Sequence, residues 1–239
     1  MRAIRVIGWS SYLQTLSFLR VKEALFFSLA FPIFLFLLFG YIWGGLDDLE
    51  YVEYLFTGIL GMTIANDALY GFGPIVKNLR TNNLLKVIKC TPIPVMYHFT
   101  GLFLSRVSLM LFTYVLLLLT AGLTFSYLPT SEQVFLHLAG VALGSVTFAL
   151  LSLLLTLPGR KGDENGFLNF LFFFMLFTCG AFFQISETSF LYSIASVLPL
   201  THLVAFLRGE TGVLLPLIAW MVVSFISFAL LFRRTQVYR

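Results

Sequence analysis

The chain has 239 residues, of which 59% are hydrophobic, 17% aromatic and only 11% charged, with a net charge of +4 and a mean hydropathy of +0.94. A soluble domain carries roughly 25% charged residues, so a water-facing surface is excluded and the chain reads as an integral all-α membrane protein. Strands of about ten alternating residues, the sign of a membrane barrel, are absent, and the basic residues cluster in short segments between apolar runs, which argues against a nucleic-acid partner.

The first 22 residues are the first predicted element. In "RAIRVIGWSSYLQTLSFLR", Trp9, Tyr12, Leu13, Leu16 and Leu19 recur at helical spacing, with Ser10, Gln14 and Ser17 on another face. That pattern suits a helix along the cytoplasmic interface of the bilayer; the alternative is an extra turn or two on the first span. No secretory signal peptide is evident, because the first apolar run starts only after residue 23 and is long enough to span. A helical span needs about 20 mostly apolar residues. Six are expected, at about 24–43, 54–72, 101–125, 135–157, 167–185 and 214–232, in one membrane domain covering 1–239. Pro32 in the first can kink it and free a backbone carbonyl.

Two spans carry ionisable residues. Asp67, beside Asn66, lies about five residues inside one end of span two, and Arg106 about as far into span three, both on the order of 8 Å from the boundary. Charges at such depth usually face the protein interior and pair. An Asp67–Arg106 ion pair is one expectation; the other is an Arg106 that snorkels to headgroups and an Asp67 that caps a water-filled vestibule.

Between these spans lies "NNLLKVIKCTPIPVMYHF", 82–99. Residues 82–91 read as a short amphipathic helix, with Leu84, Leu85 and Ile88 on one face and Lys86 and Lys89 on another. Pro92 and Pro94 end it. So short a helix is marginal alone and needs a surface, either headgroups or protein. "GRKGDENG" (159–166) lacks the GxxxxGK[ST] arrangement and reads as a solvated loop. His98, His137 and His202 are scattered and form no metal-ligand set, and the two cysteines, Cys90 and Cys179, suggest neither a disulfide nor a metal site. No catalytic constellation is present.

"SFLYSIASVLPLTHLVAFLR" (189–208) is apolar enough for a seventh span, but Pro199 divides it. A seventh crossing would also carry Arg233, Arg234 and Arg239 outside. Lys and Arg concentrate in the amino-terminal segment, the 77–89 segment, residues 160–161 and the carboxyl end, whereas the opposite side has Arg208 alone with Asp47, Asp48, Glu50, Glu53, Glu132, Glu187 and Glu210. This asymmetry places both termini in the cytoplasm, and 189–208 becomes a pair of short external re-entrant helices before the last span.

Taken together, the interfacial helix, the six spans, the loop ending "LLKVIKCTPIPVMYHFTGLFLS" and the late "LPLTHLVAFLRG" resemble the ABC-2 family of transporter permeases. Thr91-Pro92 matches the family's close of the loop helix, Leu84, Leu85 and Lys86 its apolar-apolar-basic core, and Pro199, Leu200 and Thr201 with Arg208 the pattern in the external helices. The chain departs from the family at "LRTNN" (79–83), where an acidic, glycine-containing stretch is usual, and in "QISETSF", where a proline is frequent.

The resemblance implies a permease subunit of an ATP-driven exporter in the cytoplasmic membrane. It pairs with a second copy or a close paralogue, moves an amphiphile such as a drug, lipid or lipid-linked glycan, and has no ATP site of its own. ATP and Mg are handled by two separate ABC ATPase subunits. Residues 82–91, with Asn83, Leu84, Leu85, Lys86, Ile88, Lys89, Thr91 and Pro92, would be the coupling helix on that ATPase, and Pro199, Leu200, Thr201 and Arg208 part of an external gate. Membrane lipid is the remaining partner. The competing class is a non-transport scaffold or assembly factor.

Overall fold

The computed structural model describes residues 2–44, 48–84, 88, 90, 94–156, 164–183 and 190–237, with side chains described up to 230. Helix α1 (Arg2–Leu19) is followed by α2, the long apolar helix Lys22–Gly44, then α3 (Leu49–Thr81), α4 (Val95–Phe125), α5 (Ser131–Thr156), α6 (Glu164–Thr178), α7 (Phe190–Ala195), α8 (Pro199–Leu207) and α9 (Leu214–Val237). Among the described residues, five helical segments are long and apolar enough to cross a membrane: Lys22–Gly44, Leu49–Thr81, Val95–Phe125, Ser131–Thr156 and Thr211–Leu230. The expected span at 167–185 appears as a shorter apolar helix, Gly166–Thr178, below the roughly 17 residues that a straight crossing needs.

Helix α3 is the axis of the molecule. Leu55, Phe56, Ile59, Leu60, Ile64 and Leu69 are buried along it, and α5, α4 and α8 pack around it. Glycines allow the close approach. A Cβ on Gly61 would stand 2.6 Å from Val204 Cγ2, and one on Gly144 2.8 Å from Ile64 Cγ2. Lipid tails give no hydrophobic drive for helices to associate, so small residues that maximise van der Waals contact carry the packing. The outer faces of α6 and α9 are apolar and exposed, as at Phe170, Phe177, Leu215 and Phe225.

Two helices carry a proline past their first turn, which widens a turn in α2 and sits inside an unbroken α3. In α2, Pro32 has no N–H for the carbonyl of Ser28, four residues back. The turn Phe26–Ala30 widens to a π-helix, and Thr113 Oγ1 of α4 donates to the Ser28 carbonyl at 3.4 Å. In α3, Pro74 lies inside the helix and the hydroxyl of Ser152 inserts beside it. Ser152 Oγ accepts from Gly73 N at 2.9 Å and donates to the Leu69 carbonyl, replacing a helical bond with a side chain from α5.

Helix α1 is a separate element, not an extension of α2: the chain turns at Arg20 and is extended at Val21 (φ −94°, ψ 97°). Its two faces are those expected, but the polar one faces the protein. Ser10 Oγ and Gln14 Nε2 lie 3.4 and 3.3 Å from the ring nitrogens of His98, and Thr15 Oγ1 lies 2.8 Å from Ser105 Oγ. Trp9, Tyr12, Leu13 and Leu19 are exposed. The seam is tight, since a Cβ on Gly101 would stand 2.6 Å from Ser10 Cβ and Oγ. Gly101→Leu is therefore expected to pry α1 from α4 at a cost of about 1–3 kcal/mol. Amide exchange in α1 should accelerate roughly tenfold or more, while α3 amides keep their protection.

Candidate functional site

A cavity of about 720 Å³ opens between α1, the π-turn of α2, α3, α4 and α6. Asn66, Asp67 and Arg106, singled out as intramembrane polar residues, all line it. The helices that bring them together do so for local reasons. Asp67 projects from the buried centre of α3, where it is 5% exposed, and Arg106 from α4, where it is 7% exposed. Gly71, one turn after Asp67, makes room for the arginine: a Cβ there would stand 2.8 Å from Arg106 Cδ. The π-turn brings Ser28 to the same wall.

The two charges do not satisfy each other completely. Among the described residues, Asp67 Oδ2, Arg106 Nε and Ser28 Oγ are each buried without a hydrogen-bond partner. The guanidinium carbon of Arg106 lies 4.5 Å from the centre of the Phe18 ring of α1. That cation–π contact leaves the guanidinium between an aromatic roof and the cavity. Tyr70 Oη donates to Asn169 Oδ1 at 2.6 Å, joining α3 to α6 across the cavity wall. The remaining lining mixes the aromatic Phe27, Phe31, Phe172 and Phe173 with the polar Gln14, Ser17 and Glu23.

Helices α3 and α4 lead away from this cavity toward the 82–94 segment. From Asp67 to Thr81 the rise is about 21 Å, and from Val95 to Arg106 about 16 Å. The segment thus joins the two helices that carry the two cavity charges. At the end of α3, Asn82 N donates to Asn78 O at 3.0 Å, and Asn83 adopts a left-handed φ of 57°, a conformation that Asn tolerates and that stops helices. Leu84 is exposed and Ile88 half-buried. Leu85, Lys86, Lys89, Thr91 and Pro92 lie outside the described residues.

Pro199, Leu200, Thr201 and Arg208 form a separate group. Pro199 opens α8 at its first turn, Pro199 and Leu200 are buried, and Thr201 Oγ1 is buried without a partner among the described residues. Arg208, just past α8, ties three segments together. Its Nη2 donates to the carbonyls of Gly180 at 3.0 Å and Tyr54 at 3.3 Å, and its Nε to Thr57 Oγ1 at 3.3 Å. The guanidinium carbon lies 3.6 Å from the Tyr54 ring centre. Burial pulls the Arg208 pKa below its ordinary value while Tyr54 pulls the other way; it stays a cation, since a free arginine titrates far above neutrality. Trp220 Nε1 of α9 donates to the Val197 carbonyl at 2.8 Å, holding the turn between α7 and α8.

Sequence reasoning found the charges and prolines of these sites but missed Ser28, Gly71 and Ser152. The Gly73-Pro74 pair was the available signal for the last of these. Nothing in the local pattern marks the other two.

A family model described as ABC-2 type transporter matches residues 3–210. No curated protein matches the chain.

Proposed function

The chain belongs to the ABC-2 type transporter family, and on that premise we propose that it is the permease subunit of an ATP-driven exporter of amphiphiles. It is a multi-pass membrane protein, a family component whose energy comes from partner ABC ATPase subunits. One observation carries the reading beyond the family. The 82–94 segment joins the two helices that hold Asp67 and Arg106, so displacing that segment pulls directly on the cavity between α1, α2, α3, α4 and α6.

In this reading both termini and the 82–91 coupling helix are cytoplasmic, and α1 lies along the inner membrane interface with Trp9 and Leu13 toward lipid. Helix α6 with the residues after it forms the fifth of six spans, and α7 and α8 dip into the outer surface as a gate. A second copy or a close paralogue completes the membrane part, while ATP and Mg are bound by the ATPases alone. ATP shifts the permease between inward- and outward-open states only through contacts that differ between them. The Leu84, Leu85 and Ile88 face is the surface proposed to make such contacts, and Pro74, inside α3 next to the Ser152 contact, is a point where the helix bends under that pull.

The test is Leu85→Asp in the full chain co-expressed with its ATPase. Losing an apolar anchor is expected to cost about 2–3 kcal/mol of docking, roughly a 30- to 150-fold drop in affinity, with stimulated ATP turnover and transport lost and the helical content kept. An ATPase that binds L85D normally and is still stimulated sinks the coupling role. A chain that never stimulates ATP turnover in liposomes favours the scaffold alternative.

A further inference from the structure

We propose that the cavity between α1, α2, α3, α4 and α6 is a headgroup site for a zwitterionic amphiphile, with Asp67 receiving the ligand's ammonium and Arg106 its phosphate. The inference rests on the permease reading and names the class of amphiphile.

Three facts carry it. Asp67 and Arg106 face one cavity, and each keeps a buried polar atom unpartnered among the described residues, Oδ2 on the carboxylate and Nε on the guanidinium. Ser28 Oγ, also unpartnered and 2% exposed, adds a hydroxyl beside them. The lining also holds a second carboxylate, Glu23, and two aromatic side chains, Phe27 and Phe173, that are 54% and 49% exposed. Asp67 and Arg106 are each other's nearest counter-charge, but an apolar ligand would still leave Oδ2 of the one and Nε of the other without a hydrogen-bond partner among the described residues. A ligand with one charge would serve one of these atoms, and a buried polar atom left without a partner is penalised. A ligand carrying both charges satisfies both, and its apolar body has Phe27 and Phe173 to lie against.

The test uses the full chain in an uncharged maltoside detergent, titrated with four probes. These are dihexanoyl phosphatidylethanolamine, dihexanoyl phosphatidylglycerol as the anion, a hexyl trimethylammonium salt as the cation, and glycerophosphoethanolamine as the headgroup without chains. The phosphatidylethanolamine is expected to bind about tenfold more tightly than any of the other three. Asp67→Asn should weaken the zwitterion about tenfold and leave the anion unchanged, whereas Arg106→Gln should weaken both and spare the cation. Gly71→Ala displaces the Arg106 side chain without removing its charge, and should act like Arg106→Gln even where that variant fails to fold.

Equal binding of the three chain-bearing probes overturns the proposal, as does an Asp67→Asn protein that holds the zwitterion unchanged. Chainless glycerophosphoethanolamine binding as tightly as the phosphatidylethanolamine overturns the amphiphile and makes the ligand a free solute. ATP turnover of the ATPase complex is measured in parallel. Charge-selective binding without stimulated turnover sinks the permease reading and keeps the site, and stimulated turnover without charge selectivity does the reverse.

Discussion

Gly58→Ala is expected to lower the thermal unfolding midpoint by roughly 10 °C, corresponding to about 3 kcal/mol, although it adds a single methyl group. A Cβ on Gly58 would stand 2.0 Å from the backbone oxygen of Ala181 and 2.7 Å from its carbonyl carbon. Backbone cannot rotate aside as the end of a side chain does, so the whole turn after α6 must lift from α3. That turn already uses a left-handed glycine, Gly180 at φ 67°, and the Tyr54 hydroxyl donates to the Gly180 carbonyl. The displacement therefore also breaks a polar contact. Gly166→Ala is the control: a Cβ there meets nothing within 4 Å, and alanine favours a helix by about 1 kcal/mol over glycine. A midpoint for Gly58→Ala equal to that of the control would show that the turn is not seated on α3.

Arg208→Leu is expected to have an effect of similar size, about 3–5 kcal/mol from lost charge-assisted hydrogen bonds, for the opposite reason. Here contacts are lost rather than forced. The substitution removes three donated hydrogen bonds and the stack on Tyr54, and among the described residues it leaves the Gly180 carbonyl with the Tyr54 hydroxyl as its side-chain donor. Arg208→Lys is not expected to restore stability, because an ammonium on a flexible stem cannot reproduce a planar fork that spans α3 and the turn after α6. Exchange of the 180–183 amides and of the α8 amides should rise together in both variants. If Arg208→Leu changes neither the midpoint nor those amides, the residue is a surface charge and not the clasp between α8 and α3. The same clasp bears on the proposed external gate, whose helices would then move as one body with the turn that Arg208 holds.

Much of this molecule was legible in advance. The pair of short helices at 189–208 follows from Pro199, which opens α8, and the irregular turn of α2 from Pro32, since a missing N–H is a property of one residue. The separate amino-terminal helix was legible as an amphipathic pattern. Its orientation was not. The pattern marks two faces without saying which meets the protein, and the seam of α1 with α4 turned out polar because Ser10, Gln14 and Thr15 find His98 and Ser105 there. The span count was only partly legible: "FLNFLFFFMLFTCGAFF" is apolar throughout, but the helix described stops at Thr178. Asp67 and Arg106 stood out as charges at depth, and an ion pair was the simplest expectation. The structure places both in the lining of one cavity, each with a buried atom unpartnered among the described residues.

By itself the sequence determined the solvent of this protein, the places where most of its helices begin and break, and the two spans that hold a charge. A bilayer leaves the backbone no partner but itself, so runs of apolar residues and single prolines are enough to decide these things. Only the tertiary structure decided that Ser152 meets α3 beside Pro74, that Gly58 seats the turn after α6, and that Arg208 reaches Thr57 across 151 residues of chain. Those are contacts between helices. They depend on which glycine allows which backbone to approach, a quantity that the periodicity of one helix does not contain.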